Sequence, residues 1–87
     1  MSNTIKQQLP KWFNGELYEK GGTVRNRFSG EEYELNAMEL SMYDFIIGSQ
    51  LIWRMGIKPQ EKHIKDFQNG LRWFIENNAK AYMILLD

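Results

Sequence analysis

The chain has 87 residues, enough for one domain with a modest hydrophobic core, and its 11 basic residues balance its 11 acidic residues. A net charge of zero gives no overall attraction to nucleic acid or anionic lipid, and the lack of cysteine excludes disulfides and thiolate metal sites. The sequence has neither an apolar run long enough to span a bilayer nor the apolar region of a signal peptide, so we expect a cytoplasmic protein.

The beginning of the chain is polar and aperiodic. Residues 1–8 therefore predict a flexible tail, followed by a single compact domain over residues 9–87. Pro10 suits the first turn of a helix, and apolar residues recur at helical spacing as far as Tyr18. We expect a short N-terminal helix between these two residues, although Gly15 lies inside it at a cost of about 1 kcal/mol relative to Ala.

The period of the apolar residues changes to alternation over about residues 23–35. β-branched and aromatic residues on both sides of the dipeptide Ser29-Gly30 predict a β-hairpin with its turn at that dipeptide. Because a lone hairpin is marginally stable in water, it must pack on the helix that follows. The side chains expected to contact that helix are Val24, Phe28, Tyr33 and Leu35.

A long helix is predicted over about residues 36–55. Asn36 and Glu39 have the spacing of a capping box, and a glycine follows the last turn. Apolar residues cover most of the helix circumference, which predicts burial on several sides and a central position in the fold. Gly48 in this helix and Gly70 in the next interrupt helical patterns, which predicts close approach of two helices at both positions.

Two further helices complete the predicted fold, which is a helix-rich α+β domain. The first covers about residues 59–77, with Pro59 at its first position and a single apolar stripe along its length. Its short connection to the long helix predicts that the two are antiparallel neighbours. Asn78 caps the last helix, a short one over about residues 79–86.

The hairpin and the start of the long helix carry a pattern seen in other sequences. The residues that share it are Asn26, Phe28, Ser29, Gly30, Glu34, Leu35, Tyr43, Asp44, Ile46 and Gly48. This pattern resembles a group of small uncharacterised proteins of tailed phages, marine ones among them. With the final stretch WFIENNAKAYMILLD the resemblance covers about residues 21–87. It implies a phage-encoded protein that acts in an infected bacterium, and it implies no catalytic or binding residue.

Two single residues are candidates for chemistry. Asp44 lies between aromatic residues on the most apolar helix, where an unpaired carboxylate is costly. We therefore expect it to accept hydrogen bonds from the hairpin, either near Ser29 and Gly30 or from Arg25 or Arg27. A solvent-facing or cleft carboxylate with a binding role is the alternative. His63 and Asp66 are too few ligands for a metal site, so we expect a solvated histidine, no metal and no cofactor.

Basic residues cluster where the long helix meets the next one. We call this set the basic corner: Arg54, Lys58, Lys62 and Lys65. Lysines near a helix N-terminus oppose the helix dipole, so helix stability does not account for them. The basic corner is either an ordinary solvated surface or a binding site for phosphate or for a carboxylate-rich partner.

Aromatic residues are numerous for so short a chain. Four of them have two interpretations, either as core or as part of a homodimer interface: Trp12, Phe13, Trp53 and Trp73. No nucleophile–base pair or phosphate-binding glycine loop is recognisable, and an enzyme would have only Asp44 and His63 to use. We therefore interpret the chain as a non-enzymatic interaction module that binds a host or phage protein and forms a homo-oligomer. The alternative is a nucleic-acid-binding regulator that uses the basic corner.

Overall fold

The computed structural model describes residues 7–86, which form one β-hairpin and three helices. The elements are β1 (Gly22–Arg25), β2 (Glu32–Leu35), α1 (Ala37–Arg54), α2 (Glu61–Asn77) and α3 (Ala79–Leu85). This confirms the predicted helix-rich α+β class. Among the described residues, no helix has the length and apolar character needed to cross a membrane. The fully buried core draws on β2 and all three helices: Leu35, Met42, Ile46, Trp73, Phe74, Ala81 and Leu85.

Residues 7–21, the described part of the chain before β1, contain no helix, so the short helix predicted from Pro10 to Tyr18 is wrong. One turn forms, closed by a 3.1 Å hydrogen bond from the Phe13 amide to the Pro10 carbonyl, and irregular chain follows it. A single helical turn loses more entropy than its one hydrogen bond returns. The aromatic rings of Trp12 and Phe13 pack against Phe45 of α1, with centroids 5.7 and 5.8 Å away. Tertiary packing therefore sets the path of this segment.

The predicted flexible tail falls mostly outside the described residues, which include only its last two, Gln7 and Gln8. Both of these residues are hydrogen-bonded to the rest of the fold. The Gln7 side chain donates to a carboxylate oxygen of Glu39 (2.9 Å), and the Gln8 carbonyl accepts from the indole of Trp73 (2.7 Å). The ordered domain therefore includes residues 7 and 8, two residues earlier than predicted.

Glu39 is a buried carboxylate, only 5% exposed. Besides the Gln7 amide, it accepts from the backbone amide of Asn36 (3.0 Å) and from the side-chain amide of Asn78 (3.0 Å). The three donors come from the N-terminal segment, the start of α1 and the start of α3. Buried polar groups are tolerated when they are hydrogen-bonded, so this network holds three parts of the chain at one point.

The hairpin is confirmed, and its register places one set of side chains inward. Val24 pairs with Tyr33 and Gly22 with Leu35, and these four are buried or half-buried while their neighbours are exposed. The connection differs from the prediction. It is a loop of residues 26–31, closed by a hydrogen bond between its first amide and its last carbonyl (2.8 Å), and not a two-residue turn at Ser29-Gly30.

Asn26 holds this loop in place. Its side-chain oxygen accepts from the amides of Phe28 (2.8 Å) and Ser29 (3.1 Å), and its side-chain nitrogen donates to the Ile84 carbonyl on α3 (2.7 Å). Gly30 has a φ of 80°, which glycine adopts without strain. The longer loop carries Phe28 beyond the inward face of the strand. Its predicted contact with the helix is therefore wrong, and the side chain is 88% exposed.

The ends of α1 agree with the prediction. Asn36 and Glu39 form both hydrogen bonds of a capping box. At the other end Gly56 has a φ of 94°, and the amides of Gly56 and Ile57 donate to the carbonyls of Trp53 (3.0 Å) and Ile52 (3.4 Å). This is the Schellman arrangement, which satisfies carbonyls that a helix end otherwise leaves unpaired.

The prediction that α1 is buried on several sides, by contrast, is wrong for its second half. Met42 and Ile46 are completely buried, but Leu51 is 51% exposed and Met55 is 70% exposed. The hairpin loop and the end of α3 leave an open groove beside this half of the helix, so its apolar residues face solvent. The long helix is central only along its first three turns.

The start of α2 lies slightly later than predicted. Gln60 is the N-cap, and its carbonyl accepts the first helical hydrogen bond from the Ile64 amide (3.0 Å), so Pro59 precedes the helix. The start of α3 is as predicted, since the Asn78 side chain accepts from the Ala81 amide (3.1 Å).

The predicted antiparallel packing of α1 and α2 is confirmed by the order of their contacts. A Cβ added at Gly70 would lie 3.1 Å from the Met42 sulfur, whereas nearer the other end His63 lies against Ser49. Gly70 is therefore a point of close approach, as predicted. Gly48 is not, because a Cβ there would meet nothing within 4 Å.

The two glycines should consequently respond in opposite ways to larger side chains. Gly48→Ala is expected to raise the free energy of unfolding by up to about 1 kcal/mol, the difference in helix propensity. Gly70→Val is expected to lower it by about 1 kcal/mol, since overpacking against the fully buried Met42 outweighs the gain in propensity. Urea unfolding of the two variants beside the parent measures both. Destabilisation by Gly48→Ala would contradict the packing described for α1.

Candidate functional site

An open groove of about 740 Å³ lies between the hairpin loop, the second half of α1 and the end of α3. We call it the arginine groove. One wall is α1, which contributes Tyr43, Ile47, Gln50, Leu51, Trp53 and Arg54. Most of these recur every three or four residues and so share one helix face. With a rise of 1.5 Å per residue, the wall from Tyr43 to Arg54 is roughly 17 Å long.

The opposite wall is the beginning of the hairpin loop. It consists of four consecutive residues, Arg25, Asn26, Arg27 and Phe28, and the groove is closed at one end by Leu85 and Leu86. The hydrogen bond from the Asn26 side chain to α3 fixes the wall to the body of the domain. The site is therefore formed in the free protein, which reduces the entropy lost on binding.

The described residues that line the groove carry charge of one sign. Within residues 7–86, three arginines line it and no aspartate or glutamate does. Arg25 lies 3.7 Å from Glu32 in a pair that is largely exposed, whereas Arg27 and Arg54 make no salt bridge within residues 7–86. Arg27 and Tyr43 both line the groove. Burial raises the pKa of the Tyr43 phenol, and the positive charge of Arg27 opposes that rise.

Exposed apolar side chains accompany these charges. Phe28, at 88% exposure, has almost none of its ring covered, and Leu51 is half exposed on the other wall. Met55 lies one turn beyond Leu51 on the same face of α1 and extends the apolar surface past the end of the groove. A concave surface with apolar side chains and a few convergent polar groups is typical of a binding site.

The residues of the basic corner do not act as one site. Arg54 lines the arginine groove, whereas Lys58, Lys62 and Lys65 are exposed outside it. Lys62 forms an ion pair with Asp66 one turn along α2, at 2.8 Å. The structure therefore joins Arg54 to the arginines of the hairpin rather than to the lysines of α2.

His63 is not the solvated side chain that was predicted. It is half-buried between α1 and α2, with its ring centroid 6.0 Å from that of Phe45 and 5.5 Å from that of Trp53. Its Nε2 lies 3.3 Å from the Ser49 hydroxyl oxygen, and that hydroxyl donates to the Phe45 carbonyl (2.9 Å). The single hydroxyl proton is thus already used, so His63 donates through Nε2.

Metal-binding clusters are not found in the described part of the chain, where no three His, Asp or Glu residues lie close enough to hold an ion. Asp66, the second candidate ligand beside His63, instead forms an ion pair with Lys62.

Asp44 is exposed, which agrees with the solvent-facing alternative rather than with its predicted structural role. Burial and the nearby Asp44 carboxylate raise the pKa of the Tyr18 phenol, so the neighbour of Asp44 is the segment before β1. The hairpin loop is closed without a hydrogen bond to Asp44. Ser29 accepts from the Glu31 amide (3.2 Å), and the Gly30 amide donates to the Asn26 carbonyl (2.8 Å).

Four aromatic residues were interpreted either as core or as part of a homodimer interface, and they lie mainly inside the fold: Trp12, Phe13, Trp53 and Trp73. Trp73 is 7% exposed and belongs to the core, so it is excluded from an interface. Trp12 and Phe13 are half-buried against Phe45, and Trp53 packs edge-on against Phe67 with centroids 4.9 Å apart. The side chains that the fold leaves uncovered are instead Phe28 and the aliphatic residues at the end of α1.

Sequence reasoning missed the hairpin wall of the groove. Arg25, Arg27 and Phe28 are separated from Arg54 by more than 25 positions, and only the tertiary fold brings them together. One signal was available. Arg25 follows Val24 and so lies on the opposite side of the strand from that inward residue, and Arg27 comes two positions later, in the loop.

A scan against protein-family models, a search of curated proteins and a search of solved structures each found no match to the chain. The resemblance of residues 21–87 to small proteins of tailed phages therefore stays a prediction.

Proposed function

We propose that the chain is a non-enzymatic interaction module whose arginine groove binds a partner protein. The observation that carries this proposal is Phe28, which is 88% exposed on a loop whose conformation is fixed by hydrogen bonds. A phenylalanine held in water by an ordered loop contributes almost nothing to stability. It is well suited to insert into a partner, because aromatic side chains supply much of the energy of protein interfaces.

The neighbours of Phe28 support the same function. Asn26 and Gly30 shape the loop, while Phe28 has no such role within the domain. It lines the groove together with Leu51, also exposed, so the two apolar side chains present one surface to a partner. Interface energy is concentrated in a few such residues surrounded by near-neutral contacts.

The test compares two exposed apolar residues that differ in position. Phe28→Ser is expected to weaken partner binding by about tenfold or more, the effect of losing an aromatic anchor. Leu17→Ser is the matched control, since Leu17 is 68% exposed and does not line the groove. The tagged parent and both variants are used to capture proteins from a nuclease-treated bacterial host lysate, and the recovered partner is quantified by mass spectrometry.

Three outcomes are informative. A stoichiometric partner retained by the parent and by Leu17→Ser, but lost by Phe28→Ser, supports the proposal. A partner retained equally by all three proteins contradicts it, as does the absence of any stoichiometric partner in both uninfected and phage-infected lysates. Urea unfolding is measured in parallel, and both variants are expected to lie within about 0.5 kcal/mol of the parent.

The phage origin and a homo-oligomeric state also belong to this proposal. Their support is the resemblance of the sequence and the exposed apolar end of α1. Sedimentation equilibrium of the parent and of Met55→Ser distinguishes self-association from binding to another protein. A monomeric parent would remove the homo-oligomer without affecting the groove.

Nucleic-acid binding is the second candidate, and one observation favours it. The solvent face of α2 carries Lys65, Gln68, Asn69 and Arg72, which are exposed and lie at i, i+3, i+4 and i+7. A helix with such a face suits the major groove of DNA. The apolar side of the same helix, including Phe67, packs on α1, so only the polar face is available.

This candidate predicts salt-dependent binding of a labelled DNA duplex, weakened when Lys58, Lys62 and Lys65 are all replaced by Ala. Fluorescence anisotropy at low and moderate salt measures it. Absence of binding at low salt would remove the candidate.

A further inference from the structure

We propose that the arginine groove binds a partner segment that combines carboxylates with large apolar side chains, as an acidic amphipathic helix does. This inference rests on the proposed function and specifies the chemistry of the partner. Its starting point is the juxtaposition of three guanidinium groups with aliphatic side chains in one groove.

In the free protein, the arginine groove gathers positive charge from two parts of the chain. Arg25, Arg27 and Arg54 come from two separate elements and converge on one cavity that no carboxylate of the described chain lines. Like charges gathered around a low-dielectric groove raise the local potential and attract an anionic ligand. Carboxylates suit these residues in particular, since a guanidinium group binds a carboxylate through two parallel hydrogen bonds.

The role of Arg54 at the end of α1 does not account for the cluster. A basic residue in the last turn does interact favourably with the helix dipole, which explains Arg54 alone. Arg27 lies in a loop and has no such role. It lines the groove together with Tyr43, so its charge lies at the groove surface, and that charge opposes the rise that burial causes in the pKa of Tyr43.

The apolar part of the groove defines the other half of the ligand. Ile47, Leu51 and Leu86 are aliphatic and partly or largely exposed, so they gain by burial against apolar side chains. The α1 wall is roughly 17 Å long, which matches about three turns of a helix. Met55 continues the apolar surface past the groove, so the surface is longer than a small anionic molecule would need.

A single-stranded nucleic acid fits less well. Its bases stack on aromatic rings, and Phe28, Tyr43 and Trp53 would provide three of these. The aliphatic residues would then be buried against a polar backbone without compensation. An acidic amphipathic segment instead places carboxylates at the arginines and leucine-like side chains on the aliphatic surface.

The experiment uses synthetic helical peptides as probes with the full-length chain. One peptide carries Leu on one face and Glu on the other, a second has every Glu replaced by Lys, and a third has every Leu replaced by Ser. A single-stranded oligonucleotide is the fourth probe. Binding is followed by the amide NMR spectrum of the protein, which also identifies the residues whose signals move.

Only the Leu/Glu peptide is expected to bind, with the signals of residues 25–28 and 43–54 moving. Arg27→Glu combined with Arg54→Glu is expected to weaken this binding by about tenfold or more, as reversal of charges that contact a ligand does. Arg72→Glu is the matched control, because Arg72 is exposed on α2 outside the groove. Added salt should weaken binding to the parent and to the control alike.

The inference is overturned if the Leu/Lys peptide binds as well as the Leu/Glu peptide, if the oligonucleotide binds in the groove in preference to both, or if no probe binds. These failures are distinguishable from failure of the proposed function. If Phe28→Ser still abolishes capture of the partner while the double arginine variant captures it normally, the groove binds a partner of different chemistry. If neither variant affects capture, both proposals fail.

Discussion

Replacement of Glu39 by Ala is expected to lower the free energy of unfolding by about 3 kcal/mol, because it leaves three partly buried donors without an acceptor. The carboxylate accepts from Gln7, Asn36 and Asn78, which belong to three separate parts of the chain. The substitution also breaks the capping box at the start of α1, in which the Glu39 side chain is one of the two acceptors. A domain of this size has little stability to spare, so the loss is a large fraction of the total.

Glu39→Gln is the matched control. It preserves the shape of the side chain and one acceptor oxygen, but its amide nitrogen cannot accept from Gln7 or Asn78. We expect it to be intermediate between the parent and Glu39→Ala. Urea unfolding followed by circular dichroism measures all three proteins. Equal stability of Glu39→Ala and the parent would contradict the buried network.

Replacement of Asn26 by Ala is expected to be the next most disruptive change, at about 2 kcal/mol, and to affect binding as well. It removes the acceptor for the Phe28 and Ser29 amides and the donor to Ile84. The hairpin loop then keeps its backbone closure, from the Asn26 amide to the Glu31 carbonyl and from the Gly30 amide to the Asn26 carbonyl, but loses its side-chain hydrogen bonds and its attachment to α3. Partner binding should weaken too, because the loop must be ordered at the moment of binding.

Ser29→Ala provides the comparison within the same loop. Ser29 contributes a single exposed hydrogen bond, to the Glu31 amide at 3.2 Å, so its loss should cost only a few tenths of a kcal/mol and leave binding intact. Amide hydrogen exchange of the loop distinguishes the two variants, with faster exchange at Phe28 expected only for Asn26→Ala. Unchanged exchange there would show that Asn26 does not hold the loop.

Local signals in the sequence were sufficient for most elements of the fold. The capping box of Asn36 and Glu39, the positive φ of Gly56 and the Asn78 cap are determined by neighbours within a few residues, and each was predictable. The conformation of the segment after Pro10 was not predictable from such local signals. Its apolar spacing is helical, yet its aromatic rings gain more by packing on α1 than a short isolated helix gains by forming.

The candidate site was less predictable, because it depends on the length of the hairpin loop and on which apolar side chains the fold leaves exposed. Alternation along the strand suggested that Phe28 faces inward, but the six-residue loop shifts it to the outside. Likewise, apolar residues around the whole of α1 indicated burial, whereas Leu51 and Met55 border the groove or lie beyond it. Arg54 was identified, but with lysines of α2 rather than with the arginines of the hairpin.

The most direct test of the arginine groove is to map the contact surface of the captured partner on the chain. NMR spectra of the labelled protein, recorded with and without the partner, identify the residues whose signals change. We expect changes at residues 25–28, along residues 43–54 and at Leu85 and Leu86, with the solvent face of α2 unaffected. Changes confined to Lys65, Arg72 and their neighbours on α2 would contradict the account.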